Sequence, residues 1–157
     1  PEAFERLGVE RMRRGEYTNA ARAFQAALEA DGDSPFAQLL LAQALFSQKK
    51  FADAAATLDA GLHTNGEFAT ADLDLRDFYG SGDSTFTLRL RELAQAADTN
   101  PDLMLMLGYM RHFSGAPQGA LEAFDAYLGD HPGHEAATRY RAMARAKADD
   151  AHGLESF

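Results

Sequence analysis

Acidic and imidazole side chains are the groups in this chain that could hold a cation or move a proton. The run Asp72-x-Asp74-x-x-Asp77 sets three carboxylates at a spacing close to that of a calcium loop. Arg76 occupies a ligand position, however, and no Glu stands at the twelfth, so the run reads as a solvated face. His131-Pro132-Gly133-His134 places two imidazoles across a turn, short of a complete zinc shell. Nucleophile and phosphate motifs are missing: there is no Gly-x-Ser-x-Gly, no Gly-x-x-x-x-Gly-Lys-Ser/Thr and no His-Glu-x-x-His. Gly80-Ser81-Gly82 lacks the third glycine of a dinucleotide loop and reads as a turn. With no Cys there is no thiol chemistry, disulfide or Cys-based zinc site. The expectation is a protein that is not an enzyme and uses no cofactor or metal.

Composition narrows the partners. The chain has 157 residues, with 24 acidic against 15 basic side chains and a net charge of −9. That charge opposes docking on a phosphate backbone, so no nucleic-acid partner is expected. No apolar run reaches the roughly 20 residues needed to span a bilayer. The longest candidate, Phe36–Phe46, is broken by Gln38 and Gln43 and reads as a buried helix. Alanine supplies 31 of the 157 residues and proline only 5, which favours an all-α fold. The start at Pro1 instead of Met suggests an excised or processed piece, and the compartment is left open.

The elements that must position any site follow from an internal period. Phe4-x-x-Leu7-Gly8-x-x-Arg11 with Ala20-x-x-x-Phe24-x-x-Ala27 lines up, 34 residues on, with Gln38-x-x-Leu41-Ala42-x-x-Leu45 and Ala54-x-x-x-Leu58-x-x-Gly61. A further copy is Met104-x-x-Leu107-Gly108-x-x-Arg111 with Ala120-x-x-x-Phe124 and Pro132. Apolar residues at i, i+3, i+4 and i+7 give each segment one buried face. Gly8, Ala42 and Gly108 leave room for a crossing helix, with Ala20, Ala54 and Ala120 as the matching slots. Turns are expected at Gly15-Glu16-Tyr17, Lys49-Lys50-Phe51 and Gly115-Ala116-Pro117. Pro35, Pro101 and Pro117 suit first helical turns, capped at Asp33 or Ser34 and at Asn100.

This pattern resembles the tetratricopeptide repeat. The resemblance implies an α-solenoid of about four helix-turn-helix repeats, near 1–34, 35–68, 69–100 and 101–134, with a capping helix at 135–148 and a frayed tail at 149–157. Arg11 and Arg111 replace the usual aromatic, and Gly32 and Gly66 the closing Pro. The third unit is two residues short, with Arg76 in its small-residue slot. Its first helix is expected over 69–79 and its second, capped by Asp83 or Ser84, carries Phe86, Leu90 and Leu93.

The family's geometry implies a groove lined by first helices, binding a protein or peptide. Phe36, Leu40, Tyr109 and Phe113 are the expected apolar anchors, and Arg13, Gln43, Asp74, Asp77 and His112 the polar groups. Several of these positions could instead pack against adjacent helices. Acidity concentrated in units three and four favours a partner with basic as well as apolar residues. The chaperone-tail clamp of this family needs Lys and Asn where this chain has Glu5, Val9, Leu40, Thr70 and Asp74, so acidic tails are not expected ligands. Two rivals stand beside this reading. One is self-association, or docking within a longer chain; the other is a metal or small-ligand site at the irregular third unit.

Overall fold

A computed structural model of the chain describes residues 2–32, 34–64 and 73–155. Among these there are eight α-helices and no strands, in a helical-repeat fold. They are α1 (Glu2–Arg13), α2 (Tyr17–Ala30), α3 (Pro35–Ser47), α4 (Phe51–Thr64), α5 (Thr85–Thr99), α6 (Met104–His112), α7 (Pro117–Asp130) and α8 (Glu135–Glu155). Short 3-10 turns at Leu75–Phe78 and Pro101–Leu103 precede α5 and α6. None of the described helices is long and apolar enough to cross a membrane.

The starts and stops follow local chemistry. Ser34 caps α3, its hydroxyl accepting the Ala37 N–H at 3.3 Å, with Pro35 in the first turn. Asn100 does the same for the turn at Pro101, accepting from the Asp102 N–H at 3.3 Å. Between helix partners one turn recurs. Glu16 N–H bonds to Arg11 C=O, Lys50 N–H to Leu45 C=O and Ala116 N–H to Arg111 C=O, all between 2.9 and 3.0 Å. These are Schellman closures, which require a left-handed residue just before the donor. Gly15 and Gly115 supply it without strain, and Lys49 supplies it at φ 65°.

The chain forms two compact units, one holding α1–α4 with Arg76–Leu93, the other holding Leu75 and the chain from Ala94 onward. In the first, α1 packs on α2, α2 on α3 and α3 on α4. In the second, α6 packs on α7 and α7 on α8. In the α1–α2 and α6–α7 hairpins the expected small residue is a point of close approach. A β-carbon at Gly8 would overlap the Phe24 ring, and one at Gly108 would overlap Phe124. The corresponding positions of the second repeat are Ala42 and Leu58, both buried. Arg11 and Arg111 turn aside from the core: Arg11 pairs with Glu16 at 2.9 Å, and Arg111 donates to the Gly119 carbonyl at 3.2 Å.

Two expectations need correction. The helix expected over 69–79 is reduced, in its described part, to the single 3-10 turn at Leu75–Phe78; residues 69–72, including Thr70 and Asp72, lie outside the described residues. Arg76 is exposed, since a guanidinium cannot fill a slot built for a glycine, while Leu75 is buried and donates its N–H to Phe113 C=O at 2.9 Å. The last helix also continues to Glu155, through much of the stretch expected to fray. Its buried stripe is the expected one, Ala137, Tyr140, Ala144 and Ala148.

Glycine in mid-helix ordinarily costs about 1 kcal/mol relative to alanine. Here Gly108→Ala should instead lower stability by about 1–3 kcal/mol, because the rigid ring of Phe124 must move. Adding Phe124→Leu should recover part of that loss. Urea unfolding followed by far-UV circular dichroism measures both; a Gly108→Ala chain as stable as its parent would refute the contact.

Candidate binding groove

Helices α1 and α3 lie side by side in the first unit, and their shared face is where the sequence places a groove. It has an open end and a covered end.

The open end is a cleft of ≈ 570 Å³ lined by Glu2, Glu5, Arg6, Val9, Glu10, Arg13 and Phe36. Of these, Arg13 and Phe36 are groove residues expected from the sequence. Phe36 stays 38% exposed, a large apolar ring on an otherwise charged rim. Glu5 accepts a hydrogen bond from the Ser34 hydroxyl at 3.0 Å, tying α1 to the cap of α3. Glu10 forms an exposed ion pair with Arg14 at 2.6 Å, one turn along the helix.

The covered end is filled by the chain itself. Tyr79, just past the 3-10 turn, lays its ring against Tyr17 and Phe86, with centroids 5.9 and 5.4 Å away. Its hydroxyl accepts from Gln43 Nε2 at 2.5 Å and shares a 2.6 Å hydrogen bond with Ser47 Oγ. Burial raises the Tyr79 phenol well above its ordinary value. Gly80 sits against the Arg13 carbonyl so closely that a β-carbon would collide with it. Asp83 accepts the Tyr17 hydroxyl at 2.5 Å and the Thr85 N–H at 2.9 Å. Burial works against the charge on Asp83, but hydrogen bonds from Thr85 and Tyr17 outweigh it and hold the carboxyl below its usual range. Burial, aided by the bond to Asp83, pushes the Tyr17 phenol up to about 12. Farther along, Phe86 meets Phe46 at 5.7 Å, and Arg89 donates to the Ser47 carbonyl at 2.9 Å.

The nine residues expected to form the site therefore separate. Arg13 and Phe36 line the open cleft. Gln43 lies on the same face but is 2% exposed and bonded to Tyr79. Leu40 is buried on α3 and cannot serve as a surface anchor. Asp77 is exposed and Asp74 half-buried, and neither lines the cleft. Tyr109, His112 and Phe113 are core residues of the second unit, with ring centroids 5.7–6.0 Å from Tyr140 of α8. These burials correct the expectation of exposed anchors. Tyr79 bonds to Gln43, and Tyr140 packs against Tyr109, His112 and Phe113. Sequence reasoning missed the contacts of Tyr79, Gly80 and Asp83 with α1, α2 and α3; the two-residue deficit in the third unit was the available signal.

His131 and His134 make local contacts within the second unit. His131 stacks flat on Tyr127 at 4.3 Å, and His134 Nδ1 accepts the Ala137 N–H at 3.1 Å, capping α8. His112 is 3% exposed, and neither ring nitrogen has a hydrogen-bond partner among the described residues. Burial, with a smaller push from Lys147, lowers its pKa from 6.5 to about 4.

Among known proteins, residues 6–72 match the tetratricopeptide repeat family model, spanning most of α1 and all of α2–α4. No curated protein matches the chain significantly. A solved structure described as the crystal structure of MamA is 19% identical, aligning 93% of this chain with 96% of that one at a TM-score of 0.39.

The His112 environment makes stability pH-dependent. Above pH 6.5 the ring is neutral in both folded and unfolded chains and adds no proton linkage. As pH falls from 6.5 towards 4, only the unfolded chain takes up the proton, so stability declines. The loss should total on the order of 3 kcal/mol and level off below about pH 4. Urea denaturation across this range should show a shallower acid decline for His112→Phe than for the parent; identical slopes would sink the assignment.

Proposed function

We propose that this chain, which carries tetratricopeptide repeats over residues 6–72, is a protein-interaction module that takes a peptide or protein segment in the open cleft of α1 and α3. The observation supporting this reading is the cleft itself, ≈ 570 Å³ in volume, with Phe36 and Val9 as apolar surface beneath a rim of three glutamates and two arginines. The rest of the face is occupied, so an incoming segment has this end available. Its chemistry calls for an apolar side chain to cover Phe36, flanked by Lys or Arg to meet Glu2, Glu5 and Glu10. Arg6 and Arg13 add donors for backbone carbonyls or a carboxylate of the same segment.

Binding rather than catalysis is the work such a site can do. Its charged groups sit on a wet rim, where they steer and select more than they anchor, and the apolar contact supplies most of the affinity.

The test is a fluorescence-anisotropy comparison of synthetic peptides with the same apolar core and either basic or acidic flanks. Basic peptides should bind, with affinity falling as salt rises. The double reversal Glu2→Lys, Glu10→Lys should weaken binding about tenfold, and Phe36→Ala by a similar factor, with circular dichroism unchanged. Equal binding of both peptide sets, or full affinity in Phe36→Ala, would count against the cleft.

A further inference from the structure

The covered end of the groove has the features of a recognition site with its ligand in place. Residues 79–83 contribute every group on one side: an aromatic hydroxyl, a backbone approach that excludes a β-carbon, and a carboxylate. The groups that receive them come from the helical repeats: Gln43 and Ser47 of α3, Tyr17 of α2 and the carbonyl of Arg13. The occupying stretch is not helical. It is a turn closed by the Asp83 N–H on the Gly80 carbonyl at 3.0 Å, with Gly82 at φ 78°.

A second observation shows that this occupant does not satisfy the site. Gln43 Oε1 is buried without a hydrogen-bond partner among the described residues, in the side chain whose Nε2 donates to Tyr79. A buried acceptor left unmet favours an alternative occupant that brings a donor to it. Arg13 is common to both ends, its carbonyl lying against Gly80 while the residue also lines the open cleft.

We infer that residues 79–83 are an internal ligand, and that the pocket holding Tyr79 is a second, occluded part of the groove. It opens to a partner segment presenting an aromatic hydroxyl, then glycine, then a carboxylate three residues further on. This deepens the groove reading above and rests on it, while placing recognition at the opposite end from Phe36. Exchange of the internal segment for the partner's segment makes binding competitive, and the resting chain is held partly closed.

The probe is a fluorescent synthetic peptide of residues 76–86, titrated into the whole chain. Tyr79→Ala, which vacates the pocket, should bind it at least tenfold more tightly than the parent, and a peptide with alanine in place of its tyrosine should bind neither. A Tyr79→Ala chain with native circular dichroism and no peptide binding would overturn the inference, as would binding indifferent to the peptide's tyrosine. In the unmodified chain, excess peptide should speed hydrogen exchange at the Asp83 amide. Unchanged exchange at peptide concentrations that saturate Tyr79→Ala, or at millimolar peptide should that variant not fold, would also overturn it. Basic–apolar peptides measured on the same proteins report the open cleft separately, so their failure would strike the cleft reading and not the occluded pocket alone.

Discussion

The structure depends on the close approach of one helix backbone to the aromatic face of its partner. At Gly8 and Gly108 no β-carbon intervenes, so the rings of Phe24 and Phe124 lie against the first helix itself. That contact sets the spacing within each hairpin, and the recurring left-handed turn closes it at a fixed length. Once the spacing is set, the remaining apolar positions of each helix have defined neighbours. Phe24, Leu58 and Phe124 are then buried to the last atom at equivalent places in their repeats.

Where that contact cannot form, the repeat changes character. Arg76 stands in the small-residue position of the third unit, and a helix there would have to bury its charge against a neighbouring backbone. The chain makes one 3-10 turn instead, and Arg76 remains at the surface. Two consequences follow within the first unit. Tyr79 reaches the inner face of α3, and Phe86 follows it to cover Phe46. A lapse in the repeat thus becomes a segment that fills a groove.

The groove is accordingly divided by chemistry. Its open end is lined mainly by charged side chains, with Val9 and the partly exposed Phe36 ring as apolar surface. Its covered end holds two hydrogen-bonded sets, Tyr79 with Gln43 and Ser47 buried, and Tyr17 with Asp83 partly buried. In the second unit the same inward positions have become core, and the cost appears as two polar groups, His112 and the Tyr140 hydroxyl, without partners among the described residues.

Much of this was legible in the residues. The 34-residue period, the glycine slots, the Ser34 and Asn100 caps and the buried stripe of α8 rest on local rules: helical periodicity, capping and the space a β-carbon needs. Those rules act over a few residues, so the sequence alone determined them. It also singled out Arg13 and Phe36, which line the cleft, and Leu40, Gln43, Tyr109 and Phe113, which are buried. What it could not determine is what covers an inward face. Tyr79 meets Gln43 across 36 residues, and Tyr17 meets Asp83 across 66. Such pairings depend on where a shortened turn delivers its next side chains in three dimensions. The tertiary structure alone decided that Leu40, Tyr109 and Phe113 are buried while Phe36 stays 38% exposed, because burial is set by what packs over a face and not by the face itself.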